Sequence, residues 1–144
     1  MGGRTERLLE IAGWRPECLP LAYTGIDLFE SRDDSQPRLT IKWAHRELRR
    51  IGTRTRLIPG DPLRALSRAA NVLVGTDLLL IAAGQEPESL AQAWRYVPRM
   101  LHAGSLVFQQ LAGTSPGQDA WRQLGPLDVQ KLAAQAGRAL LMAA

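Results

Sequence analysis

Apolar and polar positions fall in blocks along this chain, and the period inside each block indicates the element it forms. Between Thr5 and Ala12, Leu8, Leu9, Ile11 and Ala12 sit among Glu6, Arg7 and Glu10, which is helical spacing. Gly13 closes that helix, and Pro16 and Pro20 keep the next stretch irregular. Residues Leu21 to Phe29 are rich in β-formers and stop at a polar run, Glu30 to Pro37, so they predict a strand that ends in a loop. From Leu39 to Ile51 the apolar positions Leu39, Ile41, Trp43, Ala44, Leu48 and Ile51 suit a helix with a strongly basic outer face. Gly52 ends it. Arg54 to Ile58 predicts a second strand, stopped by Pro59 and Gly60. Asp61 as N-cap and Pro62 in the first turn open a helix that runs to about Leu73.

The run Asp77 to Ala83 is continuously apolar after its first residue, the pattern of a strand buried on both faces. Glu86-Pro87-Glu88 opens a further helix with Leu90, Ala93, Trp94, Val97 and Leu101 inward and a bend near Pro98. Residues His102 to Ser105 read as a turn and Ser105 to Gln109 as a fourth strand. Leu111 to Gly125 is polar and punctuated by Gly and Pro, and Leu127 to Ala143 forms a last helix opened by Pro126 and Asp128. Strands and helices in alternation imply parallel βαβ units with helices on both faces. The expected class is therefore α/β: a Rossmann-like three-layer sandwich with a mostly parallel sheet of about four to five strands. One domain is expected over residues 1–144, with its core in 1–110 and a variable loop and carboxyl-terminal helix in 111–144. A domain of this kind opens with a strand, whereas here Met1 falls almost directly on a helix. The first strand is thus expected to be absent, with Met1-Gly2-Gly3 as the tail of a glycine-rich turn.

Composition narrows the chemistry. With 144 residues, 45% of them hydrophobic and 22% charged, the chain has the size and balance of one globular domain rather than of a disordered or fibrous segment. Its single cysteine, Cys18, allows no intramolecular disulfide and reads as a buried or inert thiol. His45 and His102 are far apart in sequence, so no metal site is expected. No apolar run reaches the ~18 residues of a membrane span and no signal-peptide core is present, which points to the cytoplasm. The net charge of +4 comes from 18 basic and 14 acidic residues, and Lys stands only at positions 42 and 131. Arg46, Arg49, Arg50, Arg54 and Arg56 come nearest to a cluster. A general use of Arg for Lys explains the excess, so nucleic acid is not the expected partner. Trp43 and Trp94 fall on apolar helix faces and read as core, His45 as a solvated side chain, and Glu86 and Glu88 as charges favouring a helix start.

Four passages occur in a telling order: Tyr23-Thr-Gly-Ile-Asp27, Leu57-Ile-Pro-Gly-Asp61, the strand Asp77 to Ala83, and Met100-Leu-His-Ala-Gly104-Ser-Leu-Val-Phe108. Together they resemble class I S-adenosylmethionine-dependent methyltransferases over about residues 1–110. The resemblance implies that Asp27 ends the family's second strand and hydrogen-bonds the cofactor's ribose hydroxyls, with Glu30 as a second candidate. It implies that Gly60 and Asp61 lie beside the adenine, and that Gly2 and Gly3 are what remains of the loop against the methionine portion. A carboxylate suits two vicinal hydroxyls because it accepts two hydrogen bonds at once. Asp27 equally suits a turn cap, and Asp61 equally suits the N-cap of the helix at Pro62.

The departures concern catalysis. Ala82 and Ala83 stand where many members of the family carry an Asp, and Gln109 and Gln110 stand where an acidic residue is frequent. No charged group is left there to hold a metal or act as a general base, although the two Gln side chains can hydrogen-bond a ligand. The reading is a methyltransferase-like protein, incomplete or impaired as it stands, with S-adenosylmethionine as its cofactor and no catalytic residue assigned. The alternative is a non-catalytic Rossmann-like binding or assembly module, and a weaker one is nucleic-acid binding through Lys42, Arg46, Arg49, Arg50 and Arg54. Because the family's first strand is central, its absence leaves two strand edges unpaired. The chain is then expected to lose stability, to pair the two edges, or to borrow a strand from a second copy or another partner.

Overall fold

The computed structural model describes residues 2–113 and 120–143, residue 4 by its backbone alone. They form two compact units, Met1–Gly60 and Asp61–Ala144.

The first unit contains α1 (Gly2–Ile11), β1 (Ala22–Asp27), α2 (Ile41–Arg50) and β2 (Arg54–Pro59). β1 and β2 are parallel, with Gly25 opposite Leu57 and Asp27 opposite Pro59. The helix between them starts where Thr40 accepts a hydrogen bond from the Trp43 amide at 3.1 Å, satisfying one of the amides a helix start leaves open. Its end requires glycine. Gly52 sits at φ +86°, and a Cβ there would come within 2.9 Å of the Pro16 ring. The core gathers Phe29, Leu39 and Ala44, with Ile41 and Leu57 packed against them. Phe29 holds a φ of +48°, unfavourable for a side-chain-bearing residue, and is 1% exposed. Burial of its ring stabilises by about 2–3 kcal/mol, enough to keep a backbone conformation that costs roughly 1–2 kcal/mol. Cys18, expected to be buried or inert, is exposed in the loop before β1.

The second unit contains α3 (Pro62–Ala69), β3 (Thr76–Ile81), α4 (Pro87–Ala93), α5 (Val97–Met100), β4 (Leu101–Leu111), β5 (Ala120–Leu124) and α6 (Pro126–Ala143). The helix expected from Glu86 onward is broken into α4 and α5 by a 3-10 turn at Trp94–Tyr96, just before Pro98, whose nitrogen has no proton to donate. β3 and β4 are parallel, and β5 returns antiparallel on β4.

Two strand expectations need correction. β4 begins at Leu101, not Ser105, because a bulge absorbs the polar residues that read as a turn: Thr76 pairs with Leu101 and Leu78 already with Leu106. Ser105 holds the bulge, accepting from the His102 amide at 2.8 Å and donating to the Thr76 carbonyl at 2.7 Å. β5 lies in a stretch read as loop. β3 is covered on one face alone: Ile81, Val107 and Leu124 are buried, while Leu78 and Leu80 are 47% and 39% exposed and Leu106, opposite Leu78, is 46% exposed.

The architecture is mixed α/β, with a two-stranded parallel sheet in the first unit and a three-stranded mixed sheet in the second. β1 has β2 as its strand partner and β3 has β4, so each keeps one edge without a strand partner among the described residues. No helix among the described residues is long and apolar enough to cross a membrane.

Candidate functional site

In the first unit the carboxyl ends of the parallel strands β1 and β2 bring Asp27 and Gly60 together. The Gly60 amide donates to the Asp27 carbonyl at 2.9 Å, extending the ladder by one bond. Gly60 does so at φ +134°, a region side chains rarely enter.

The Asp27 side chain is fully engaged by its own loop. Oδ1 accepts from the Phe29 amide at 2.9 Å and from Arg32 Nε at 2.7 Å, and Oδ2 accepts from Arg32 Nη2 at 2.5 Å. This is a two-pronged guanidinium–carboxylate pair, the strongest geometry available to such groups. Arg32 also donates through Nη1 to the Pro37 carbonyl at 3.0 Å, which fixes the far end of the loop. Burial by itself pushes the Asp27 carboxyl up. The Arg32 hydrogen bond, the amides of Phe29 and Leu28 and the Arg32 charge outweigh it and hold the group below the usual carboxylate range. The same pair raises Arg32. Glu30, the second ribose candidate, accepts from the Ile41 amide at 2.9 Å and so caps the start of α2.

Asp61, the next residue after Gly60, serves the second unit. Oδ1 accepts from the Arg64 amide at 3.1 Å, the N-cap bond of α3, and from Ser89 Oγ at 2.5 Å. Ser89, 8% exposed, also accepts from the Leu63 amide at 3.0 Å, while its own amide donates to Glu86 at 2.5 Å. Burial raises the Asp61 carboxyl, but Ser89, the backbone donors and Arg64 bring it below its ordinary value. Asp61, Leu63, Arg64, Glu86, Glu88, Ser89 and Gln92 line a shallow hollow of about 300 Å³. Glu86 and Glu88 supply two of its carboxylates; Glu86 is also the cap of α4, accepting from the amides of Glu88 and Ser89.

Gly2 and Gly3 form the first residues of α1, a helical setting rather than the turn expected of them. At the end of β3 the Ala83 amide donates to Gln110 Oε1 at 3.0 Å. His45 lies half-buried on α2 with no hydrogen-bond partner for its ring among the described residues. His102 is more than a turn residue: Nε2 contacts Asp77 Oδ1 at 2.8 Å and Nδ1 accepts from the Gly104 amide at 3.1 Å. The spacing offers no sign of that pair, because the bulge creates it. Arg32 also escaped the sequence reading; an Asp followed five residues later by an Arg across a short polar loop was the available signal. Among the described residues no group of three or more His, Cys, Asp or Glu side chains is placed to hold a metal ion.

An S-adenosylmethionine ribose would require free carboxylate lone pairs at Asp27 or Glu30. Arg32 takes both oxygens of Asp27, so that carboxylate as arranged does not fit a ribose, while Glu30 gives one oxygen, Oε1, to the Ile41 amide. Comparison with protein-family models, with curated proteins and with solved structures gives no match for this chain.

Proposed function

We propose that this chain is a methyltransferase-like, Rossmann-like protein impaired at its cofactor side, acting in the cytoplasm as a non-catalytic binding or assembly module. The observation that carries this reading is the Asp27–Arg32 pair: the residue best placed to accept a ribose is closed by a guanidinium from its own loop. The strand directions support the methyltransferase-like part, with a parallel β1–β2 pair in one unit and parallel β3–β4 followed by an antiparallel strand in the other. Ala82, Ala83, Gln109 and Gln110 support the non-catalytic part, since none of them supplies an ionisable group.

A second reading, a methyltransferase active once a further strand is supplied, is favoured by the edges of β1 and β3 that have no strand partner among the described residues. Equilibrium dialysis against labelled S-adenosylmethionine separates the two. The first reading expects no retention, either by this chain or by a form extended with the residues encoded in frame upstream of Met1. Retention by the extended form alone supports the second reading. Retention by the 144-residue chain itself overturns the impaired-cofactor-side proposal.

A further inference from the structure

The outer face of α2 presents a chemistry that the reading above does not use. Ala44 and Leu48 turn into the core of the unit. At 3.6 residues per turn, Lys42, Arg46, Arg49 and Arg50 gather on the opposite side, and all four are exposed. Trp43, expected in the core, stands at the flank of this stripe, 41% exposed, three residues before Arg46 and seven before Arg50. Only part of the charge is matched. Arg50 lies 3.3 Å from Glu6 and 3.4 Å from Glu47, and Arg46 lies 3.8 Å from Glu47. Lys42 and Arg49 make no ion pair among the described residues.

Exposed arginines alone describe an ordinary solvated face. An exposed indole beside four cations is more specific, because the two groups together match a strand that carries phosphates and unpaired bases. We propose that this face of α2 binds single-stranded nucleic acid, with phosphates at Lys42, Arg46 and Arg49 and a base stacked on Trp43. An anionic membrane suits the face less well: a helix lying on lipid presents its apolar side outward, and α2 has its apolar side in the core. Arg54 and Arg56 are not part of the face. Leu57 packs against the Phe29, Leu39 and Ala44 core, so alternation along β2 places Arg54 and Arg56 on the other side of the strand. They supply an internal control of equal charge.

The test is an anisotropy titration of a labelled oligouridylate with the whole chain at low salt. Wild type is expected to bind with a log–log salt slope of about −2 to −3, the value for three or four phosphate contacts on a single strand. K42E/R49E is expected to weaken binding by at least about tenfold and to flatten that slope. W43A should weaken it several-fold at unchanged slope, and W43F should restore it. R54E/R56E, with the same change in net charge, should stay within about twofold of wild type. Far-UV circular dichroism checks that each variant is folded. No binding at low salt, an equal loss in R54E/R56E, an unaffected W43A, or binding to phosphatidylserine vesicles in place of the oligonucleotide would each overturn the proposal.

Discussion

Arg32 grips both carboxylate oxygens of Asp27, Nε at 2.7 Å from Oδ1 and Nη2 at 2.5 Å from Oδ2, with the two side chains 19% and 14% exposed. Surface ion pairs contribute little, but this one is two-pronged and mostly shielded from water. R32M removes the partner and leaves a shielded carboxylate with the Phe29 and Leu28 amides as its remaining donors. We expect it to destabilise by about 1–3 kcal/mol, and a double-mutant cycle with D27N to return a coupling of about 1–2 kcal/mol. Urea denaturation measures both. A coupling near zero would mean that the fork is incidental.

The acid limb of stability follows from the same pair. Folding lowers the Asp27 pKa below its ordinary value, so the pair's contribution is complete above about pH 4 and is lost as pH falls through the folded-state pKa. Arg32, whose pKa is raised, stays charged throughout and adds no slope in this window. The urea midpoint of D27N should therefore lie below wild type at pH 7 and converge on it as the solution is acidified below about pH 4. Parallel curves over that range would exclude Asp27 as a source of the slope.

Ser89 ties α3 to α4 through Asp61 and the Leu63 amide. S89A leaves that amide without its acceptor in a partly buried place and should cost about 1–3 kcal/mol. D61N keeps an acceptor for the Arg64 amide at the N-cap and should cost less, about 1 kcal/mol. Thermal unfolding of the two variants gives the order directly.

Phe29 holds the Asp27 loop from below, 1% exposed at φ +48°. F29A opens a cavity in the small Phe29–Leu39–Ala44 core and should cost about 3–5 kcal/mol. F29L retains most of the volume and should cost less than half as much. Amide exchange at Ile41, bonded to Glu30 in the same loop, should rise in F29A.

Much of this arrangement was legible in the residues because it is local. Asp61 before Pro62 is a cap by chemistry and spacing, and it caps α3; the apolar spacing of α6 and the Gly52 stop of α2 likewise rest on neighbours a few residues away. What was missed depends on partners far along the chain. Residues 102–105 look like a turn until β3 pairs with Leu101 and Leu106 on either side of them, and Ala120–Leu124 is too short and too polar to be seen as a strand without β4 beside it. Trp43 fits an apolar stripe by spacing, yet the core of that unit is filled by Phe29, Leu39 and Ala44 and leaves the indole outside. The candidate site was found as positions but not as occupancy. The sequence offers Asp27, Glu30 and Asp61 as carboxylates, and the fold supplies each with a donor of its own.

Calorimetric titration of S-adenosylmethionine into the purified chain tests the central claim most directly. With both oxygens of Asp27 held by Arg32, the account predicts no saturable heat up to ligand concentrations of about 1 mM. Saturable binding with a Kd of about 10 μM or tighter, weakened by D27N, would show that the carboxylate is available to a ribose after all and would contradict it.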